Sequence, residues 1–353
     1  MALPFFGNKA KRRDNIVAID LGSRKTKAVY IEKKADVFSL VNYAILDAPN
    51  QTGASSKESA IEHFKQISKE IACPSKYLSI ALSCTDSFIK LAEANYMDIN
   101  DLRQLIARAP TKYLQTDYPD HLFDCSYILQ TMPANPEPGK QVTCKAIVAG
   151  GKQKTVYDLM EIAKAAGYNV QHVVPNLVCT PNILEMAAAE SFQKEVIAIV
   201  DLGFKFTTIH LFVEGIPSLN RIVDFGGDKI TQGLSEAMSV NYTEAEGLKV
   251  GMPQEIEGVL QPLIAPVGRE LRASIDFFEH QHDKPVSQVY VSGAAASSEM
   301  MLKILQSELM VPCKNWNPST PFDIQLSNER KAEIENVGPQ LAVALGAGIS
   351  ALI

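Results

Sequence analysis

Two short stretches of this 353-residue chain carry the same chemistry. Asp20-Leu21-Gly22 follows the apolar run Ile16-Val17-Ala18-Ile19, and Asp201-Leu202-Gly203 follows Ile197-Ala198-Ile199-Val200. In each, an aspartate leaves the end of a buried strand, where a lone carboxylate is costly to desolvate and calls for a cation. Magnesium suits this position, because it keeps several waters and takes one or two carboxylates together with phosphate oxygens. Gly22 and Gly203 let backbone N–H groups approach a phosphate with no Cβ in the way. Ser23, Lys25, Thr26 and Lys27 in the first stretch, and Lys205, Thr207 and Thr208 in the second, add hydroxyl donors and positive charge. One such triplet is an ordinary turn. Two in the same context predict a phosphate site with Asp20 and Asp201 on its metal side.

Three further stretches bear on the same site. Phe225-Gly226-Gly227-Asp228-Lys229-Ile230-Thr231 reads as a Gly-Gly turn opening a helix, whose unsatisfied N–H groups would favour an anion. It reads equally as a plain turn with Asp228 in the first helical turn, where negative charge is favourable anyway. Glu246 and Lys249 lie three apart and share one helix face. They are either a contact for a ribose and base edge or an exposed ion pair. Val289 to Gly293, followed by Ala294, reads as a buried strand ending in a small-residue turn. That composition admits a flat purine ring against backbone, or close packing of a helix on a sheet.

The elements that position these residues follow from pattern. Ile16 to Ile31 reads as strand, tight turn at Gly22, and strand, and Val37 to Leu46 continues as strand. In Ser55 to Ala72, Ile61, Phe64, Ile67 and Ile71 fall on one helical face. Tyr77 to Leu82 is a short strand. From about Cys84 to Gly151 the composition shifts: a helix over Ile99 to Tyr113, then strand-like runs Cys125 to Thr131 and Gln141 to Val148 around a loop with Pro133, Pro136 and Pro138. Thr155 to Ala166 reads as a helix ended by Gly167, with a strand at Val170 to Val174. The opening pattern then returns at Ile197, so the chain holds two related lobes, not a solenoid of short repeats.

Length points the same way, since single cores rarely grow past about 250–300 residues. With 46% apolar and 21% charged residues the composition is that of a globular protein. A net charge of -6 argues against a generic nucleic-acid binder, and Lys11, Arg12 and Arg13 form the one local basic cluster. The six cysteines are dispersed, with no Cys-x-x-Cys pair, and read as reduced thiols without metal. No stretch nears the ~20 apolar residues of a membrane span. The N-terminal order, apolar then basic, is the reverse of a secretory signal. The expectation is a cytoplasmic protein.

The order of motifs resembles the actin-like ATPases: Asp-Leu-Gly hairpin, inserted module, second hairpin, Gly-Gly-Asp-x-x-Thr, Ala-Glu-x-x-Lys, strand-Ser-Gly, then Ala344-Leu345-Gly346-Ala347-Gly348. Within them the chain is most similar to the PilM family of type IV pilus assembly proteins, with the FtsA family next. The module's place inside the first lobe, the helix ending in Ala166-Gly167, and Glu270-Leu271-Arg272-Ala273-Ser274-Ile275-Asp276 favour PilM. The resemblance implies an α/β, actin-like (ribonuclease H-like) two-lobed fold with an inserted α+β subdomain. It divides the chain into a flexible tail (1–14), a first-lobe core (15–83 and 152–192), the insertion (84–151), a second-lobe core (193–222 and 285–353, the last helix crossing back) and a second subdomain (223–284).

It also implies ATP and magnesium as ligands. Asp20, Gly22, Ser23 and Lys27 match the first phosphate motif. Asp201, Gly203 and Thr207 match the second, and Gly226, Gly227 and Thr231 the turn after it. Glu246 and Lys249 match the ribose-side pair, and Gly293 the adenosine motif. The partner implied is the N-terminal cytoplasmic peptide of a PilN-type inner-membrane protein, held between the first lobe and the insertion. The protein would then lie at the inner face of the inner membrane through that partner, without binding nucleic acid; self-association is left open. Three positions depart from the pattern: Ala294 and Ala295 where the adenosine motif has glycines, Phe204 in place of a small residue, and Asn176 as the sole polar side chain of Val173 to Val178. With no base to activate water, weak or absent ATP turnover is expected. The rivals are an FtsA-like membrane tether of cell division and a small-molecule kinase on the same fold.

Overall fold

The computed structural model describes residues 13–49, 56–132 and 142–353. Residues 1–12 of the expected N-terminal tail, the start of the first helix at Ser55 and the proline-rich loop lie outside them, while the Asp14 carbonyl accepts from Lys33 N–H at 2.7 Å beside β1. Its strands run Asn15–Leu21 (β1), Lys25–Lys34 (β2), Val37–Asp47 (β3), Tyr77–Leu82 (β4), Ser87–Asn95 (β5), His121–Tyr127 (β6) and Thr143–Lys152 (β7). After them come Asn169–Pro175 (β8), Val196–Leu202 (β9), Thr207–Val213 (β10) and Ile216–Val223 (β11). The last are Gln288–Ser292 (β12), Cys313–Asn315 (β13) and Asp323–Ile324 (β14).

Two sheets repeat one plan. The first has the order β14-β3-β2-β1-β4-β8 and the second β11-β10-β9-β12-β13. In both, an antiparallel meander (β1-β2-β3, β9-β10-β11) is extended by parallel strands on the far side of its first strand. Burial on both faces explains why the leading strands read as unbroken apolar runs. The hairpins repeat to the atom. A Cβ on Gly22 would sit 2.6 Å from the Lys25 carbonyl, and one on Gly203 2.6 Å from the Phe206 carbonyl. Both turns fold back so tightly that only glycine fits there.

A third sheet, β5-β7-β6, belongs to the insertion and has its own core around Leu102, Ile106 and Cys125. The helix expected over Ile99 to Tyr113 is two helices, Ile99–Arg108 and Pro110–Leu114. Pro110 disfavours helical geometry at Ala109, whose φ of -140° ends the first helix. Strand β5 escaped the sequence reading because polar Lys90 and Glu93 interrupt it.

The lobes share one apolar core, in which Ile16, Val29 and Leu40 of the first sheet and Ile197, Ile199 and Tyr290 of the second surround Asn176–Ala187 and Ala342–Leu352. The second of these helices is buried almost throughout and packs on β1, β2, β4 and the first helix. Its approach is fixed by Gly346, where a Cβ would lie 1.9 Å from the Cys179 carbonyl. Ser79 Oγ donates to the Ala347 carbonyl at 2.8 Å and Asn182 Nδ2 to Ser350 Oγ at 2.9 Å. Overpacking such a contact costs about 1–3 kcal/mol or more. Gly346→Val is therefore expected to lower the denaturant midpoint by at least that equivalent, while Gly258→Ala, in a helix with open space around it, should not lower it.

Candidate functional site

The two aspartates end the leading strands of the two sheets. Asp20 and Lys27 are register partners across β1 and β2, and Lys27 Nζ donates to Asp20 Oδ2 at 3.0 Å. Asp201 is the register partner of Ser292 on β12, whose hydroxyl donates to Asp201 Oδ1 at 3.0 Å. Burial pushes the Asp201 carboxyl above its ordinary range; Ser292 and Lys27 pull it down, and the charge of Asp20 adds to the rise. Burial also works against the charge of Lys27, yet Asp20, with Asp201 behind it, holds this ammonium above its usual value. The three groups thus form one electrostatic unit spanning both lobes.

Each carboxylate keeps its second oxygen without a protein partner among the described residues. Two carboxylates coupled electrostatically through one lysine are of the hard-oxygen chemistry that magnesium takes together with water and phosphate. Among the described residues no group of three or more His, Cys, Asp or Glu gathers as a metal cage.

The Gly-Gly turn corrects the sequence reading. Gly227 N–H donates to the Gly203 carbonyl at 3.0 Å and Asp228 N–H to the Phe204 carbonyl at 2.8 Å. The first amides of helix Gly227–Met238 are therefore docked on the second hairpin, not aimed at an anion. Gly226 permits this, since a Cβ there would lie 2.4 Å from the Phe204 carbonyl. Thr207, expected on phosphate, is fully buried and donates to the Phe225 carbonyl at 2.8 Å, locking the same junction. Asp228 accepts from Tyr242 Oη at 2.7 Å and Gln232 Nε2 at 3.0 Å, joining two helices. Lys25 pairs with Asp47 at 2.7 Å and with neither site aspartate. Ser23 sits half-buried in the first turn.

Glu246 and Lys249, on helix Tyr242–Gly251, are a largely covered pair and not an exposed one. Lys249 Nζ donates to Glu246 Oε2 at 2.7 Å and to Thr231 Oγ1 at 2.6 Å, and Thr231 Oγ1 donates to Glu246 Oε2 at 2.5 Å. Burial opposes the Glu246 charge, but Lys249 and Thr231 outweigh it and hold the carboxyl low. Burial pushes Lys249 down despite Glu246. The other oxygen of Glu246 takes a residue the sequence reading missed: Arg24 Nη1 reaches it at 2.7 Å from the first hairpin. Ser292 was missed too, although it directly precedes Gly293. Gly293 has φ +93°, and a Cβ would meet the Leu202 carbonyl at 2.3 Å. The exposed Ala294 opens the short helix Ala294–Ser297 after it. Asn176 lies beside Cys84 with its amide oxygen buried and unpartnered.

A separate groove of about 520 Å³ is lined by Ile89 and Leu91 of β5, Leu177 and Pro181 of the central helix, and Phe212 and Leu219 of β10 and β11. Its walls therefore include the second lobe, beyond the first lobe and insertion that the sequence reading named. Asn220 Nδ2 donates to the Ile89 carbonyl at 3.4 Å across that junction.

Comparisons with known proteins agree with this architecture. The family model described as type IV pilus assembly protein PilM matches residues 18–351. Over 259 residues the chain is 20% identical to the cell division protein FtsA of Bacillus subtilis (strain 168), covering 66% of this chain and 57% of that relative. A chain of a PilM–PilN type IV pilus biogenesis complex superposes with a TM-score of 0.82 at 18% identity, over 97% of this chain and 100% of its own. The ethanolamine utilization protein EutJ of Carboxydothermus hydrogenoformans gives 0.57 at 13% identity (98% and 92%). MreB5 of Spiroplasma citri, solved bound to ADP, gives 0.51 at 10% identity (96% of each). The fold is that of the actin-like ATPases.

The raised Asp201 carboxyl has a consequence for stability. A group whose pKa is raised by folding contributes stability below its unfolded value, about 3.9, and loses it as pH rises through the folded value. At neutral pH the ionised Asp201 therefore weighs against the fold. Asp201→Asn, which keeps an acceptor for Ser292, should melt above the wild type at pH 8 in chelator, and the gap should close towards pH 4. A lower melting temperature for this variant at pH 8 would contradict the electrostatic picture.

Proposed function

The chain belongs to the type IV pilus assembly protein PilM family, and from that premise we propose that it is an ATP-binding scaffold of a type IV pilus or related secretion machine. The observation that carries this reading is the convergence of Asp20, Lys27 and Asp201 from two duplicated hairpins. Asp20 and Asp201 would hold magnesium, which supplies positive charge to triphosphate oxygens. Lys27 would balance the remaining negative charge, and the turns at Gly22 and Gly203 would lie along the phosphates. Glu246, with Lys249 and Thr231 behind it, offers a fixed acceptor for sugar hydroxyls, and Gly293-Ala294 a flat backbone surface for the base.

The groove lined by Leu91, Leu177 and Phe212 would receive the N-terminal cytoplasmic peptide of a PilN-type inner-membrane protein, which would bring the scaffold to the membrane's inner face. Its apolar floor suits an extended peptide with apolar side chains. Because both lobes wall the groove, a nucleotide that favours one lobe arrangement would bias its shape by differential affinity. Turnover should be slow, since Asn176 cannot accept a proton and no carboxylate other than the metal-side pair is assigned there.

Calorimetry tests the nucleotide site: Asp20→Ala and Asp201→Ala should each weaken magnesium-dependent ATP binding at least ~10-fold, about 1.4 kcal/mol, with the fold retained. Unchanged affinity in both would remove the assignment. Steady-state hydrolysis should stay far below the ~10 per second typical of enzymes. Leu91→Glu should abolish capture of the partner peptide while leaving ATP affinity within about twofold; equal loss of both would contradict two separate sites.

A further inference from the structure

The two hairpins share the Asp-Leu-Gly frame but differ in their turns, where Ser23-Arg24 in one stands against Phe204-Lys205 in the other. Two of these unlike residues meet. The Arg24 guanidinium lies over the Phe204 ring at 5.2 Å, and its Nη1 reaches Glu246 Oε1 at 2.7 Å. Arg24 belongs to the first lobe, Phe204 and Glu246 to the second. Both ends of this bridge are anchored. The Arg24 carbonyl accepts from Ala48 N–H at 2.9 Å, which pins the turn to the end of β3. Glu246 is held from behind by Lys249 and Thr231 through its other oxygen. Among the described ion pairs it is the one that crosses from hairpin to hairpin-side helix over the cleft.

We propose that Arg24 is a cross-cleft positioning residue, which orients the free face of Glu246 towards a sugar and holds the two lobes together across the cleft. The sugar part of this inference rests on the nucleotide reading above; the closure part does not. A carboxylate oxygen has two lone pairs, so Glu246 Oε1 accepts from Arg24 and from a ribose hydroxyl together. With Arg24 in place the acceptor is fixed, and a 2′-hydroxyl that fails to arrive leaves it underused. The pair is partly exposed, with side-chain exposures of 37% and 18%, and such pairs are weak enough to open and re-form. The guanidinium's planar fork and its stacking on Phe204 are not reproduced by lysine.

Two measurements on the full chain test the proposal. Spin labels at Gln66→Cys and Gln254→Cys, both exposed and on opposite lobes, with Cys73→Ser and Cys313→Ser as background, report the distance between lobes without nucleotide. Arg24→Ala and Arg24→Lys should each broaden and lengthen that distribution; identical distributions would overturn the closure claim, whatever the cleft binds. The second measurement is the ratio of affinities for ATP and 2′-deoxy-ATP. The wild type should prefer the ribonucleotide, and Arg24→Ala should reduce that preference at least ~3-fold with thermal stability retained. An unchanged ratio would overturn the positioning claim. Should the wild type bind neither nucleotide, the positioning claim falls with the nucleotide reading, and a widened distribution in Arg24→Ala still upholds closure.

Discussion

Two carboxylates and one ammonium placed at the meeting point of two lobes set the terms for this protein. Duplicating a strand that ends in Asp-Leu-Gly and facing the copies brings like charges together at depth, where water compensates poorly. Lys27 answers one of them directly and the other at a distance, and Ser292 adds a hydrogen bond to the second. The remaining charge leaves Asp201 strained towards protonation. A cation placed beside these carboxylates would relieve that repulsion, in keeping with the usual trade between a functional site and stability.

Around that unit the rest of the chain supplies rigidity. The second hairpin gives its turn carbonyls to the first amides of the next helix, which ties hairpin and helix together. The chain's last helix lies on the first sheet and is sealed against Cys179 through Gly346, so the two lobes are joined by a shared core and not by a loose linker. The groove beside the insertion draws walls from both lobes, and Arg24 joins the two lobes through Glu246.

Much of the fold was legible because it rests on short-range pattern. Apolar runs of strand length, a glycine-closed turn and their recurrence near residue 197 lead directly to two sheets of one design. Side-chain partners were less legible. Lys25 and Lys27 are alike in sequence, and strand register alone gives one to Asp47 and the other to Asp20. Thr207 and the amides of Gly227 and Asp228 look like ligand donors until the helix is seen seated on the turn. Arg24 gave no signal of its own, because its meaning depends on Phe204 and Glu246, about 180 and 220 residues away in the chain. Strand β5 hid its role because Lys90 and Glu93 lie on opposite faces of the strand, so Lys90 interrupts the Phe88, Ala92, Ala94 face and Glu93 the Ile89, Leu91 face.

The central claim is that Asp20 and Asp201 share one cation. Crystals grown with manganese and a non-hydrolysable ATP analogue would report this through anomalous scattering. The account predicts a single metal peak between the two carboxylates, with phosphate oxygens beside it, and loss of that peak in Asp201→Asn. A nucleotide bound with its metal elsewhere, or a peak unchanged by that substitution, would contradict it.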